Sequence, residues 1–366
     1  MTTSQPSSRL TLPVNGVVPP SPPVGPAALG TPGNPYWQLE PLPSVGGSFA
    51  PGRRPPSVVI RTKNEEVNIG ACLDAASFSD DIVVLDSFST DRTLSECQAR
   101  KNVRLVQKIF TNESTQFNWI IDTIKLKHPW LYLCDADERV TPELRDEMIQ
   151  AVNDPAQQHV AFRLRYKNFF LDRWVRRGGM YPVWIIRLIR PDLVRYEDRE
   201  INVHPVVNGS LGDLEGTFSH YSFNKGLVPW FSKHNHYSDL ESKEAVRVMQ
   251  TSGMIEQVRA VRRREPGVSR RAMKNLSFYL RLRFFARFFF MYIIRLGFLD
   301  GVPGLHYALM ISMYEYWIEI KIRERRFSWR ERTERAVAAM LGGVPTEASV
   351  AAPRPPDGPK IDIMIP

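Results

Sequence analysis

The chain has 366 residues, 43% of them hydrophobic and 24% charged, with a formal net charge of +9. That apolar content over that length builds one large or two ordinary cored domains, which excludes a fibrous or wholly disordered protein. The three cysteines, Cys72, Cys97 and Cys134, make no CxxC pair and no metal-ligand pattern with histidine, which excludes a disulfide scaffold and a zinc module and points to a reducing compartment.

Residues 1–56 carry roughly half of the 29 prolines and show no apolar periodicity, so they read as a disordered leader. The opening residues lack a basic stretch followed by an apolar core, so neither a secretory signal nor a transmembrane start is expected, and cytoplasmic residence follows. At Ser57-Val58-Val59-Ile60-Arg61 a β-branched run begins, and Ile69, Cys72, Leu73 and Ala76 then fall at helical spacing. A second strand, Ile82 to Leu85, ends in Asp86 and leads to a helix with Thr90 or Asp91 as N-cap. Val103 to Val106 is a third strand, followed by an amphipathic helix with Phe117, Ile120, Ile121 and Ile124 on one face.

The fourth strand, Trp130 to Cys134, ends abruptly in Asp135, Asp137 and Glu138. Asp135 and Asp137 project to the same side of an extended chain, a spacing that suits one divalent cation. Clustered carboxylates at the end of a buried strand repel one another unless a cation sits there. Thr141-Pro142 then opens another helix, with Leu144, Met148 and Val152 on its apolar face. Strands alternating with helices at this spacing predict an α/β fold with a mainly parallel sheet flanked by helices, and the ends of such strands are where ligands bind. Asp86 and the Asp135/Asp137 pair could meet in one crevice there.

From about 160 to 222 the pattern changes to strands and loops: Val160 to Tyr166, Trp184 to Ile189, then the polar stretch Tyr196 to His204. Beyond Gly226 the chain reads as helical and basic, with Arg262, Arg263 and Arg264 in a row. Between about 275 and 324, Arg283 and Arg287 share one helical face, with Arg295 near its edge, and Phe285, Phe288, Phe289, Ile293 and Leu296 gather opposite. The charge-free aromatic core from Phe288 to Ile294 is too short to span a bilayer, which takes about 20 apolar residues, but an Arg-edged aromatic helix can lie among headgroups. A second apolar helix is expected from Leu305 to Ile320, interrupted by Glu315 and Glu319. Basic residues interleaved with Phe and Ile, without a recognisable module, argue against nucleic acid as the partner and leave two readings, contact with an anionic membrane surface, which is preferred, and two helices packed on the catalytic domain as ordinary core. The division that results is a leader over 1–56, a catalytic domain over 57–225, a helical basic-aromatic region over 226–325 and a largely disordered tail over 326–366.

Ser57 to Glu66, Val84-Leu85-Asp86-Ser87-Phe88-Ser89-Thr90-Asp91 and Leu133-Cys134-Asp135-Ala136-Asp137-Glu138-Arg139-Val140-Thr141, in that order, resemble a family 2 glycosyltransferase of GT-A fold. Tyr181 to Leu188, Val203-His204 and Arg295 to Gly301 add a similarity to bacterial lipopolysaccharide-core β-glucosyltransferases and related exopolysaccharide enzymes. The resemblance implies a Rossmann-like catalytic domain that moves one sugar, with inversion, from a nucleotide-sugar donor, most simply a UDP-hexose. The acceptor implied is a lipid-linked or lipopolysaccharide-type saccharide at the cytoplasmic face of the cell membrane, where the enzyme would be peripheral.

By the same resemblance, Thr62, Glu65 and Asp86 bind the base and ribose, Gln116 and Asn118 supply polar donor contacts, and Asp135 contacts the ribose side and helps the metal. Asp137 would coordinate Mg2+ or Mn2+ bridging the diphosphate; a hard cation prefers carboxylate oxygen and neutralises the charge growing on the leaving group. A carboxylate must take the acceptor proton. The candidates are Asp198 and Glu200, with Glu197 and His204 behind them and Asp198 narrowly preferred; relatives commonly have Glu after the Val-His pair, where this chain has Pro205. The Gln-x-x-Arg-Trp signature of processive synthases is missing, so one sugar per encounter is expected. A sugar nucleotidyltransferase would carry a Gly-rich loop with Arg where this chain reads Thr62-Lys63-Asn64-Glu65-Glu66, and the intact acidic motif argues against an inactive membrane adaptor.

Overall fold

The computed structural model describes residues 37–38, 53–198, 203–251, 254–262, 268–280 and 282–327, together with 335, 337 and 340. The expected leader and tail therefore lie almost entirely outside the described residues. The first half runs β1 (Trp37–Gln38), β2 (Ser57–Thr62), α1 (Ile69–Ala76), β3 (Ile82–Asp86), α2 (Thr93–Gln98), β4 (Val103–Gln107), α3 (Glu113–Thr123), β5 (Leu131–Asp135), β6 (Glu138–Val140) and α4 (Pro142–Asn153). It continues with β7 (His159–Phe170), β8 (Arg173–Trp174), β9 (Trp184–Ile189), β10 (Val194–Tyr196), β11 (Pro205–Val207) and β12 (Ser210–His220).

The main sheet is ordered β1-β4-β3-β2-β5-β9-β7-β12-β6, with β8 hydrogen-bonded to β7. β2, β3, β4 and β5 are parallel, while β9 pairs antiparallel with both β5 and β7. The parallel half is the part the alternating strand and helix pattern predicted. Because helices cover both of its faces, β2, β3 and β5 are buried end to end, each around a short apolar run rather than an alternating one. One core lies on the side of α1 and α4, around Ile69, Leu73, Leu144 and Met148, and a second on the side of α3, around Phe117 and Ile120.

Helix starts follow their local chemistry. The Asn112 side chain accepts from Thr115 N at 2.7 Å at the head of α3, and Thr141 Oγ1 accepts from Leu144 N at 3.3 Å at the head of α4, with Pro142 in the first turn. At α2 the N-cap position falls on Arg92 rather than on Thr90 or Asp91. The reason is that Thr90 N is held by Asn64 Oδ1 at 2.7 Å, while Asp91 Oδ1 takes Thr93 N at 3.0 Å from outside the helix.

Strand β6 was not legible in the sequence. It leaves β5 within three residues yet pairs with the last residues of β12, Phe218 opposite Val140 and His220 opposite Glu138. The sheet curls far enough for its far edge to return to the acidic end of β5.

The C-terminal part is α5 (Leu227–Thr251), α6 (Met254–Arg262), α7 (Val268–Ser277), α8 (Arg283–Phe289) and α9 (Gly301–Phe327). A π-helical turn over Phe290–Ile294 extends α8, and a 3-10 turn over Gly297–Asp300 leads into α9. α9 is longer than the expected Leu305 to Ile320, since Pro303 fits its first turn, where a missing N–H breaks no bond. These helices meet the sheet through Phe170, Val175, Trp230, Met291 and Tyr307. No single helix among the described residues is long and apolar enough to cross a membrane, and Arg283–Ile294 meets Gly297–Arg326 at a bend of 68°.

Candidate active site

Two arginines interrupt otherwise apolar central strands, and both converge on Asp135. Arg61, wholly buried in β2, lies opposite Asp135 of β5 and reaches Asp135 Oδ1 through Nε at 2.8 Å and through a terminal nitrogen at 2.5 Å. From β9, Arg187 donates to Asp135 Oδ2 at 2.6 Å and also to Glu138 Oε1. The Phe117 ring lies 4.1 Å below the Arg61 guanidinium, and Glu113 is 3.6 Å from it. Both Asp135 oxygens are thus engaged by cations. Burial would raise this carboxyl, but Arg187 and Arg61 outweigh it and hold it below the usual range.

Asp137 has a different partner. His220, the last residue of β12, brings Nε2 to 3.3 Å from Asp137 Oδ2, and Tyr221 N donates to the Asp137 carbonyl at 2.9 Å. Burial again works to raise the carboxyl, and the charges of His220, Lys233 and Lys225 more than offset it, so Asp137 stays ionised. His220 Nδ1 is 2.7 Å from Asn168 Oδ1, which fixes the ring. Its buried Nε2 faces Asp137 as an ion pair; burial works to lower the imidazole, and that carboxylate raises it above its ordinary value. Glu138, paired with Arg187, is pushed by burial up to about 7.

These groups open into a cavity of about 460 Å3. One wall is the ends of β2 and β5, with Arg61, Lys63, Asp135 and Asp137; the other is the start of α5, with Trp230, Lys233 and Tyr237, closed by Tyr307 of α9. Lys225 pairs with Glu65, whose own carboxyl is raised by burial and by Asp137. Desolvation lowers the Lys233 ammonium to about 8, against the pull of Asp137.

The residues singled out from sequence do not all reach the cavity. Asp135, Asp137 and Glu65 line the cavity. Thr62, Asp86 and Gln116 are buried beneath it: Thr62 Oγ1 has no hydrogen-bond partner, Asp86 accepts from Ser89 N and Gln107 Nε2, each at 2.9 Å, and Gln116 reaches Arg61 and Ser87 at 3.5 and 3.3 Å. Asn118 exchanges two hydrogen bonds with the Tyr196 backbone, at 2.8 and 2.9 Å, and so clamps the β10–β11 hairpin to α3. Asp198 and His204 are exposed on that hairpin and do not line the cavity, and Glu200 lies outside the described residues.

His220, Lys225 and Lys233 were missed, because they stand more than 80 residues from the acidic motif and form no spacing pattern with it. Arg61 and Arg187 carried a readable signal, a lone charge inside an apolar strand, which demands a buried counterion.

One wall residue has a measurable acid signature. His234 is stacked on Trp230 at 3.6 Å between ring centres, with Nδ1 2.9 Å from the Trp230 carbonyl, and burial lowers its imidazole to about 4. An unfolded chain takes up this proton near pH 6.5 and the folded chain does not, so stability present above about pH 6.5 drains away as pH falls towards 4. His234→Phe keeps a ring against Trp230 and should flatten that part of the pH dependence of the urea midpoint. An unchanged slope would show that His234 does not carry it.

Residues 57–209 match the family model described as Glycosyl transferase family 2. This chain carries a family 2 glycosyltransferase domain. Its curled sheet is the GT-A arrangement, as the motif resemblance implied. Among curated proteins it is similar to the lipopolysaccharide core biosynthesis glycosyltransferase LpsC of Rhizobium meliloti (strain 1021), 25% identical over 200 residues, covering 52% of this chain and 72% of that protein. Among solved structures it is similar to glucosyl-3-phosphoglycerate synthase from Mycobacterium tuberculosis in complex with Mn2+, UDP-glucose and phosphoglyceric acid, 20% identical, covering 31% of this chain, with a TM-score of 0.27. The chain spans 44% of that enzyme's length. S. aureus TarS 1–349 is 12% identical, covering 74% of this chain and 91% of that one, with a TM-score of 0.36. At those scores neither structure bears on substrate or mechanism.

Proposed function

We propose that this glycosyltransferase moves one hexose, with inversion, from a nucleotide-sugar donor to a lipid-linked or lipopolysaccharide-type saccharide at the cytoplasmic face of the membrane, with Mg2+ or Mn2+ at Asp137. The observation that carries the reading is the Asp137–His220 pair in the cavity. Asp137 Oδ2 and His220 Nε2 form an ion pair 3.3 Å apart at the cavity wall, and they would hold the ion once the imidazole gives up its proton on binding. Among the described residues no cluster of three protein ligands exists. Asp135 contributes charge balance, since its oxygens already serve Arg61 and Arg187. When bound, the cation neutralises charge on the departing diphosphate.

The rest of the cavity suits the same substrate. Lys63, Lys225 and Lys233 line it and would hold a phosphate-bearing donor, while Tyr237 gives sugar rings an apolar face. Attack with inversion needs the acceptor hydroxyl opposite the diphosphate, and a carboxylate to take its proton. For the base the motif resemblance alone offers Asp198 first and Glu200 second, and Asp198 stands outside the cavity wall. The loop between β10 and β11 springs from beside the head of α3: Ser114 Oγ donates to the Glu197 carbonyl at 2.7 Å, and neighbouring Glu113 lies 3.6 Å from Arg61.

The test is a hydrolysis and transfer screen of the full chain with UDP-, GDP- and dTDP-sugars, in Mn2+, in Mg2+ and in chelator. Turnover of one nucleotide class, lost in chelator and restored by metal, is expected. Undiminished turnover in chelator would remove the metal from the mechanism, and no turnover in any arm would remove the donor assignment.

A further inference from the structure

We propose that the corner between α8 and α9 is a wedge that inserts into a single leaflet of an anionic lipid bilayer. It deepens the reading of a membrane-bound acceptor and is read out without any donor. The first observation is that α8 buries one arginine while leaving two phenylalanines exposed. Arg283 is buried, paired with Glu315 and set 4.9 Å from the Phe278 ring, while Phe285 and Phe289 on the same short helix are 61% and 55% exposed. A helix made for water buries the aromatics and exposes the arginine.

The apolar surface continues around the corner. Ile294, Phe298, Leu299 and Val302 are all exposed, Leu299 at 57% and Val302 at 61%. Between Phe288 and Leu305 the only charged side chains are Arg295 and Asp300. Asp300 is turned back onto the protein, where Oδ2 accepts from Arg177 N at 2.6 Å. The tip therefore presents no carboxylate to a bilayer, while Arg287 and Arg295, both exposed, flank it where anionic headgroups would lie.

The corner is also held in shape. Leu296 adopts a left-handed backbone, φ 56°, at the break, and a Cβ on Gly304 would fall 2.2 Å from the Gly297 carbonyl oxygen, so the two backbones touch. The 68° bend lets apolar side chains enter one leaflet without a span. A second copy is a poorer occupant of this face. A two-fold contact would bring Arg287 and Arg295 against their own copies, and the one acid at the corner is already committed to Arg177. A lipid surface, in contrast, explains both the apolar tip and its basic rim. It also places the active site: Tyr307 on the inner side of α9 lines the catalytic cavity, so inserting the corner brings the cavity to headgroup level, where a lipid-linked saccharide would present its sugar.

The experiment is flotation of the full chain, without donor or metal, with vesicles of phosphatidylcholine alone and of phosphatidylcholine mixed with phosphatidylglycerol. The wild type should float, more strongly with the anionic vesicles, and remain bound after a high-salt wash. The Leu299→Asp/Val302→Asp variant should lose about tenfold or more in partitioning, with donor turnover in solution unchanged because neither residue lines the cavity. Arg287→Glu/Arg295→Glu should lose the preference for anionic vesicles. Wild type that stays in the soluble fraction with both vesicle types overturns the proposal, as does complete release by salt, or flotation of the Asp variant equal to wild type. A stable dimer in solution that Leu299→Asp dissociates would assign the face to a second copy instead. Flotation without donor turnover would leave the wedge standing and sink the transferase mechanism; turnover without flotation would do the reverse.

Discussion

Asp137→Asn is expected to lower donor turnover by about a thousandfold, on the scale of removing a group that stabilises leaving-group charge, while the chain still folds. The substitution keeps the shape of the side chain and the backbone carbonyl that accepts from Tyr221 N. What it removes is the one negative oxygen that His220 faces at 3.3 Å. Without it His220, Lys225 and Lys233 surround a neutral amide, and a divalent ion would meet three cationic or neutral neighbours in place of a carboxylate. The measurement pairs initial rates at saturating metal with a urea unfolding curve. A variant within about tenfold of wild-type turnover would show that Asp137 does not hold the cation.

Arg187→Met is expected to act on stability rather than first on chemistry. The guanidinium is buried and bonded to both Asp135 and Glu138, and removing one partner of such a group leaves carboxylates without their counterion. The cost should be about 3–5 kcal/mol by urea denaturation, the usual range for breaking a buried pair from one side. Arg61 still holds Asp135 through Oδ1, so the more exposed loss falls on Glu138, which sits in the same cluster with its carboxyl already raised to about 7. Adding Glu138→Gln to Arg187→Met should recover part of the stability, because the stranded charge is then removed. If the double variant is as unstable as the sum of the two singles, Glu138 and Arg187 do not form a coupled unit.

Much of the fold could be read from residue order. The parallel half of the sheet showed itself because β2, β3 and β5 are buried on both faces and so carry apolar runs without alternation, and because Thr141-Pro142 marks the start of α4. The second half was harder for a physical reason. β7 mixes buried with half-buried residues, β12 mixes buried with exposed ones, and the two pair over about 50 residues of chain, so their pairing is a long-range event with no local signature. The acidic motif was legible as a cluster that needs a cation. Which of its members is free to hold one was not, since Arg61, Arg187 and His220 reach it from β2, β9 and β12. Asn118 shows the converse: a polar residue at the right place in sequence spends both its amide groups on the Tyr196 backbone.

The sequence by itself determined the likeness of residues 57–209 to family 2 glycosyltransferases and the strand that ends in Asp135-Ala136-Asp137-Glu138, because each is a local pattern of side chains along the chain. Only the tertiary structure decided that Asp135 is spent on two arginines while Asp137 is paired with His220, and that Arg283 points inward while Phe285 and Phe289 point out. A sequence periodicity fixes which residues share a face, but which face is buried depends on what packs against it, and here those partners, His220 for Asp137 and Glu315 for Arg283, lie 83 and 32 residues away along the chain.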